Sequence, residues 1–294
     1  MRTLVFVHGR SQQGKDAEDL KAEWVDALQK GLKKAGLELD LPDDKVRLPF
    51  YGDTLDHLSR GKKGDAPEVI VMGLADGASE QERAFIEAMV RDLAATYEIT
   101  DEQIAAEEEA LVVEAGIQNW KAVLAALRLL DRIKPLGMPT VAAFTRDVYH
   151  YLNNPGIQTP IENGVRSALE GRGECVVVGH SLGSIVAFNV IARAGTPRDW
   201  SVPTYITVGS PLAIGPIKEK LRPLERPAEI TTWFNAFDPE DVVALHPLDG
   251  KHFPVMPEIE NFDGVDNFTG NQHGIVGYLS DPTVARKIYE ALTE

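Results

Sequence analysis

The sequence predicts an α/β protein, a mostly parallel sheet flanked by helices, and three observations carry that prediction. Short apolar, β-branched runs such as Leu4–Val7, Cys175–Val178 and Thr204–Val208 alternate with segments of helical period. Strands separated by helices imply a parallel sheet covered on both faces. The runs end in glycine-containing turns, His8-Gly9, Gly179-His180-Ser181 and Gly209-Ser210, where chemistry-bearing residues gather. Finally, roughly 120 residues separate the second expected strand from Cys175, where one helix would suffice. A structureless loop of that length is improbable, so the excess predicts a helical, cap-like insertion.

In chain order, Leu4–Val7 predicts a buried first strand. Leu20, Trp24, Leu28 and Leu32 recur at helical spacing over Ala17–Lys34, and Gly36 stops that helix. Val46–Tyr51 predicts a second strand, and 52–67 a polar surface loop. From Ser79 to Lys134 the period is helical: Phe85, Ile86, Met89, Val90 and Leu93 mark one face, and Trp120, Val123, Leu124, Leu127 and Leu130 another. Ser79-Glu80-Gln81-Glu82 and Thr100-Asp101-Glu102-Gln103 have the pattern of helix caps. The core resumes at Phe144–Leu152, followed by a helix near Ile161–Glu170 and strands at Cys175–Val178, Thr204–Val208 and Ile230–Phe237. Thr283–Leu292 is a closing helix. These readings divide the chain into a core of 1–74 and 143–294 and an insertion of 75–142.

Composition narrows the function. The 294 residues carry a formal charge of −15, which argues against a basic face for nucleic acid or an anionic membrane. The single cysteine, Cys175, cannot form an internal disulfide and sits in an expected core strand. Met1–Gly9 reads as a strand rather than a leader, and no run approaches the ~18 apolar residues of a membrane span. The expectation is a soluble, cytoplasmic protein. Glu258, Glu260, Asp263 and Asp266 lack the spacing of a cation loop and read as a solvated turn, so neither a metal nor a cofactor is expected.

Gly179-His180-Ser181-Leu182-Gly183 is the most informative stretch. An expected strand runs into it and an apolar helical segment, Ile185–Ile191, follows. This is the pattern of a nucleophile elbow, a sharp strand-to-helix turn with a serine at its apex. A serine hydroxyl needs a base within hydrogen-bond reach, and the base needs an orienting carboxylate. In parallel-sheet enzymes of this design they follow in the order serine, acid, histidine. His246, His252 and His273 follow the elbow; His273, in a polar loop before the terminal helical region, suits the base. His246 and His252 read as surface residues. Asp241 is the favoured acid because Val242-Val243-Ala244 anchors its loop, with Asp238, a turn-starting residue before Pro239, as the alternative. Two backbone amides would complete an oxyanion site: Leu182, next to the serine, and Arg10, in the loop after the first strand. His8 would brace that loop, and the Arg10 side chain could face the cleft toward an anionic group.

Together these residues resemble the α/β-hydrolase superfamily. Val7-His8-Gly9, the elbow at 179–183, Val208-Gly209-Ser210-Pro211-Leu212, the acid loop at 235–244 and His273 match its ordered landmarks. The Gly-Ser-Pro-Leu and Asn-x-x-Asp-Pro-x-Asp-x-Val elements are most similar to the lipase and serine-esterase branches, including lipase-like enzymes related to inositol deacylases. No glycine run follows His8, unlike the branch with a glycine-rich oxyanion loop. The resemblance implies the α/β-hydrolase fold and hydrolysis of a small-molecule or lipid-like acyl ester through an acyl-enzyme. A peptidase or thioesterase using the same residues, or a binding protein that kept only the fold, are its alternatives. The apolar stripe of the 120–130 segment raises a further expectation, activation at a lipid interface.

Overall fold

Leu4 and Phe6 face one way from the first strand and Val5 and Val7 the other, and all four are fully buried. That burial on both faces follows from the frame in the computed structural model, which describes residues 1–10, 12, 14–53, 79–111, 120–133, 138–193, 199–270 and 272–294. Among these residues six strands form one sheet: β1 (Thr3–Val7), β2 (Val46–Arg47), β3 (Gly173–His180), β4 (Trp200–Val208), β5 (Thr232–Ala236) and β6 (Glu260–Phe262). Their order is β2-β1-β3-β4-β5-β6, and every neighbouring pair is parallel. The architecture is therefore α/β.

Side-chain alternation along the strands builds two cores. On one face Leu4, Phe6, Val176, Val178, Ile206 and Val208 pack with Trp24 and Leu28 of α1 (Ala17–Lys34). Residues of two late helices, α9 (Ile275–Leu279) and α10 (Pro282–Thr293), complete that cluster. On the other face Val5, Val7, Cys175, Val177 and Tyr205 pack with α6 (Pro155–Leu169) and α7 (Leu182–Arg193). Cys175 is buried, and burial pushes its thiol up to about 11, so it serves as core. A short α8 (Gly215–Leu221) follows β4.

The region read as an insertion contains α2 (Glu80–Thr96), α3 (Asp101–Ala110), α4 (Lys121–Ile133) and the start of α5 (Met138–Asn153). Ser79 caps α2 by accepting from the Glu82 amide, and Thr100 and Gln103 cap α3 reciprocally. Ile86, Val90 and Leu93 of α2 meet Trp120, Val123, Leu124 and Leu127 in a third cluster. The 120–130 stripe is thus interior, which removes the basis for interfacial activation. Phe85 and Met89 join the main core instead. The division at 142/143 falls inside α5, whose Val141 and Ala142 belong to the third cluster and whose Phe144 and Val148 belong to the main core. At the far end of α2, Gly215 N–H donates to Asp92 at 2.8 Å and Thr96 Oγ1 meets His246 at 3.3 Å. These contacts hold α2 against segments that follow the carboxyl ends of β4 and β5.

Two elements differ from expectation. Only Val46 and Arg47 of the expected 46–51 strand pair with β1, while Leu48 and Phe50 pack as half-buried side chains. The 258–266 stretch is not simply a turn: Glu260–Phe262 is the edge strand β6, and Glu260 pairs with Lys287 at 2.7 Å. Phe144–Leu152, where the core was expected to resume, is part of helix α5. The expected loop at 52–67 lies outside the described residues beyond Asp53, as do 75–78, 112–119 and 134–137 of the insertion. Among the described residues no helix is long and apolar enough to cross a membrane.

Leu28 joins α1 to the sheet face carrying Leu4, Phe6, Val176 and Val178 and is fully buried. Leu28→Ala is expected to lower unfolding stability by about 3 kcal/mol through lost burial and a residual cavity, read as a reduced urea midpoint with an unchanged m value.

Candidate active site

The sheet order reverses at β1: the chain passes from β1 to β2 on one side and resumes with β3 on the other. In open α/β sheets the crevice at such a switch, outside the carboxyl ends of the strands, is where ligands bind. The two chain ends meeting there are His8-Gly9-Arg10 after β1 and Ser181 after β3.

Ser181 has φ of +54°, a left-handed conformation that costs a non-glycine residue roughly 1–3 kcal/mol. The surroundings hold it there. Its N–H donates to Val208 O at 3.3 Å, and its carbonyl accepts from the Ser184 amide at 2.9 Å and the Ser184 hydroxyl at 2.6 Å. Both glycines of the motif are sterically required: a Cβ on Gly179 would lie 2.8 Å from Ser184 Cα, and one on Gly183 would lie 2.1 Å from Val7 O. The elbow is therefore pressed against the end of β1. Gly9 completes the approach, since a Cβ there would come within 2.8 Å of Ser181 Cβ.

The three side chains singled out as nucleophile, base and acid converge. His273 Nε2 lies 2.9 Å from Ser181 Oγ, and His273 Nδ1 lies 2.7 Å from Asp241 Oδ2. Asp241 Oδ1 accepts from the Val243 amide at 2.9 Å. Asp238, the alternative acid, points elsewhere. Its Oδ1 accepts from the Glu240 amide at 2.7 Å and its Oδ2 from the Asn267 amide at 2.8 Å, which ties the acid loop to the histidine loop. His246 and His252 stack on each other at 4.6 Å, and their bonded partners are Thr96 and Asp249. They are half-buried rather than surface residues. His57 lies outside the described residues.

Leu182 is the first residue of α7, where an amide has no intrahelical acceptor and the helix dipole favours negative charge. Arg10 follows Gly9 directly, but its side chain differs from expectation. Arg10 Nε donates to Asp147 Oδ2 of α5 at 2.6 Å in a partly buried ion pair, so the guanidinium is directed to the helix. His8 braces the same loop. Its Nδ1–H donates to Gly9 O at 2.7 Å, its Nε2 accepts from the Tyr51 amide at 3.1 Å, and the Tyr51 ring stacks on it at 3.9 Å. The Tyr51 hydroxyl donates to His8 O. Those roles fix one neutral tautomer, and burial lowers the His8 pKa to about 4.

Three supporting residues escaped the sequence reading. His180 Nε2–H donates to the backbone oxygen of His273 at 2.8 Å, with the two rings 4.8 Å apart, and burial holds His180 neutral. Its place between strand end and nucleophile was the available signal. Asn267 donates to Gly274 O at 2.9 Å and accepts from Thr269, closing the histidine loop. Tyr278 donates its hydroxyl to Asp241 Oδ2 at 2.6 Å. Comparison of the chain with protein-family models, with curated proteins and with solved structures finds no match, so the site stands on its own geometry.

His8 links the site to acid stability. Its folded pKa, about 4, lies below the ordinary value of 6.5, so the unfolded chain binds the proton more readily. Stability from this group is therefore present above about pH 6.5 and lost as pH falls toward 4, an effect of about 3 kcal/mol. His8→Gln should be less stable at pH 7 but show a flatter decline between pH 6.5 and 4 in urea unfolding. An unchanged decline would remove His8 from the linkage.

Proposed function

We propose that the protein is a serine hydrolase of the α/β-hydrolase fold, cleaving carboxylic esters of small-molecule or lipid-like acyl groups through an acyl-enzyme. The observation that carries this reading is the unbroken relay from Ser181 Oγ through both ring nitrogens of His273 to Asp241, at 2.9 and 2.7 Å. Serine after β3, acid after β5 and histidine after β6 follow the chain order of parallel-sheet hydrolases.

In this mechanism His273 Nε2 takes the proton of Ser181 Oγ as the oxygen attacks the acyl carbonyl. Asp241 holds the Nδ1–H tautomer and stabilises the imidazolium that forms. The negative charge on the carbonyl oxygen falls to the amides of Leu182 and Arg10, each worth about 2.7–4 kcal/mol of barrier in comparable sites. His273 then gives its proton to the leaving alcohol, and a water deprotonated by the same ring releases the acid and restores Ser181. The Arg10–Asp147 pair would steady the loop that offers the Arg10 amide.

Short p-nitrophenyl esters provide the first test, with thioesters and peptides as competing substrates. Ser181→Ala should lower ester turnover by about 10⁵-fold or more and abolish labelling by a fluorophosphonate, with the fold unchanged by circular dichroism. Undiminished turnover in that variant, or no adduct on Ser181 in the native protein, would sink the proposal. Asp241→Asn should cost about 10⁴-fold in kcat, whereas Asp238→Asn, which keeps one acceptor, should act mainly on stability.

A further inference from the structure

One oxygen of the buried carboxylate serves two donors. Asp241 Oδ2 accepts from His273 Nδ1 at 2.7 Å and from the Tyr278 hydroxyl at 2.6 Å, and the Asp241 side chain has no exposed surface. The phenol has little choice of direction. The Asp238 amide donates to the Tyr278 oxygen at 3.2 Å, which leaves the O–H aimed at Asp241. Tyr278 is itself fully buried on α9. Burial first, and the Asp241 charge second, push its ionisation well above the ordinary value, so it remains a donor.

A second strong donor on Oδ2 draws off charge that would otherwise fall on the imidazole Nδ1–H. We propose that Tyr278 is a positioning residue of the triad: its hydroxyl sets how tightly the His273–Asp241 pair holds the proton taken from Ser181. The inference rests on the serine-hydrolase reading and deepens it. Without the O–H, the carboxylate is more basic and the imidazolium beside it is better stabilised, so the pair binds its proton at higher pH. The other ionisable groups facing this pair come from several elements. The His180 ring on β3 lies tilted against His273, 4.8 Å away, and His8 after β1 acts on His180. Tyr97, after α2, feels Asp241 and Glu240 and is pushed up to about 12, chiefly by burial. Asp238 faces Tyr278 and is engaged by two backbone amides. Tyr278 is thus the hydroxyl donor that shares Oδ2 with the imidazole.

Tyr278→Phe keeps the ring and removes the hydroxyl. The acid limb of its kcat/KM profile on a p-nitrophenyl ester should move upward by about half a pH unit, a fraction of what a hydrogen bond to a charged group is worth. The ¹³C-histidine NMR titration of the His273 ring, assigned with His273→Asn, should move the same way. A lowered rate with neither midpoint displaced means that Tyr278 only supports packing, and it overturns the inference; so does a downward shift. Should Tyr278→Phe fail to fold, 3-fluorotyrosine at 278, a better donor of nearly the same shape, must move both midpoints down, and no movement is again fatal. The titration requires no substrate, so absent esterase activity would count against the hydrolase reading while leaving the tuning separately measurable.

Discussion

A carboxylate with no exposed surface loses the hydration that makes it an anion, a penalty of several kcal/mol that must be met by groups fixed in place. Asp241 meets it with an imidazole N–H, a phenolic O–H and a backbone amide. Those donors come from three places: the loop after β6, helix α9 and the acid loop itself. Each element must therefore sit correctly for the charge to be tolerated. The charge in turn orients His273, so the dependence runs in both directions. This explains why the histidine loop is so heavily tied, by His180 to the His273 carbonyl and by Asn267 and Thr269 around it.

The strained serine is the second constraint, and it depends on the sheet rather than on charge. Ser181 holds a left-handed backbone because β1, β3 and β4 close around it: Val208 accepts its amide, and Val7 O leaves no room for a side chain at 183. Strain of this kind persists where the surroundings over-determine it, as they do at functional sites. His8 and Tyr51 extend the same logic to the loop carrying Gly9 and Arg10. Burial keeps His8 uncharged, and its bonds to Gly9 O and the Tyr51 amide fix the tautomer that bridges them. Among the described residues the insertion meets the rest of the chain through Asp92 to Gly215, Thr96 to His246, Ser79 to Tyr149 and Glu82 to His150, beside the apolar contacts of Phe85 and Met89. Its helices are otherwise stabilised by a cluster of their own.

Much of this was legible in the chain because its signals are local. The strand–Gly-x-Ser-x-Gly–helix run, the amphipathic period of α1 and the capping residues Ser79 and Thr100 each act within a few residues of themselves. Strand β6 was not legible: three residues, Glu260–Phe262, acquire strand character from pairing with β5 and carry no apolar run. The expected strand at 46–51 overran because Leu48 and Phe50 are apolar for packing, not for pairing. The choice of Asp241 over Asp238 could be favoured from sequence but not made, since both lie on one loop and differ only in where they point.

What the sequence alone determined was the class of fold, the serine at the strand-to-helix turn and the short set of residues able to meet it. Tertiary structure decided which of them meet. Ser181 and His273 are 92 residues apart, and His273 and Asp241 are 32 apart. The order of strands, the turning of Arg10 toward Asp147, and the arrival of His180 and Tyr278 beside His273 and Asp241 were decided there too. Backbone conformation answers to near neighbours, but convergence of side chains is set by sheet register and helix packing. Those are summed over the whole chain, and no stretch of it encodes them by itself.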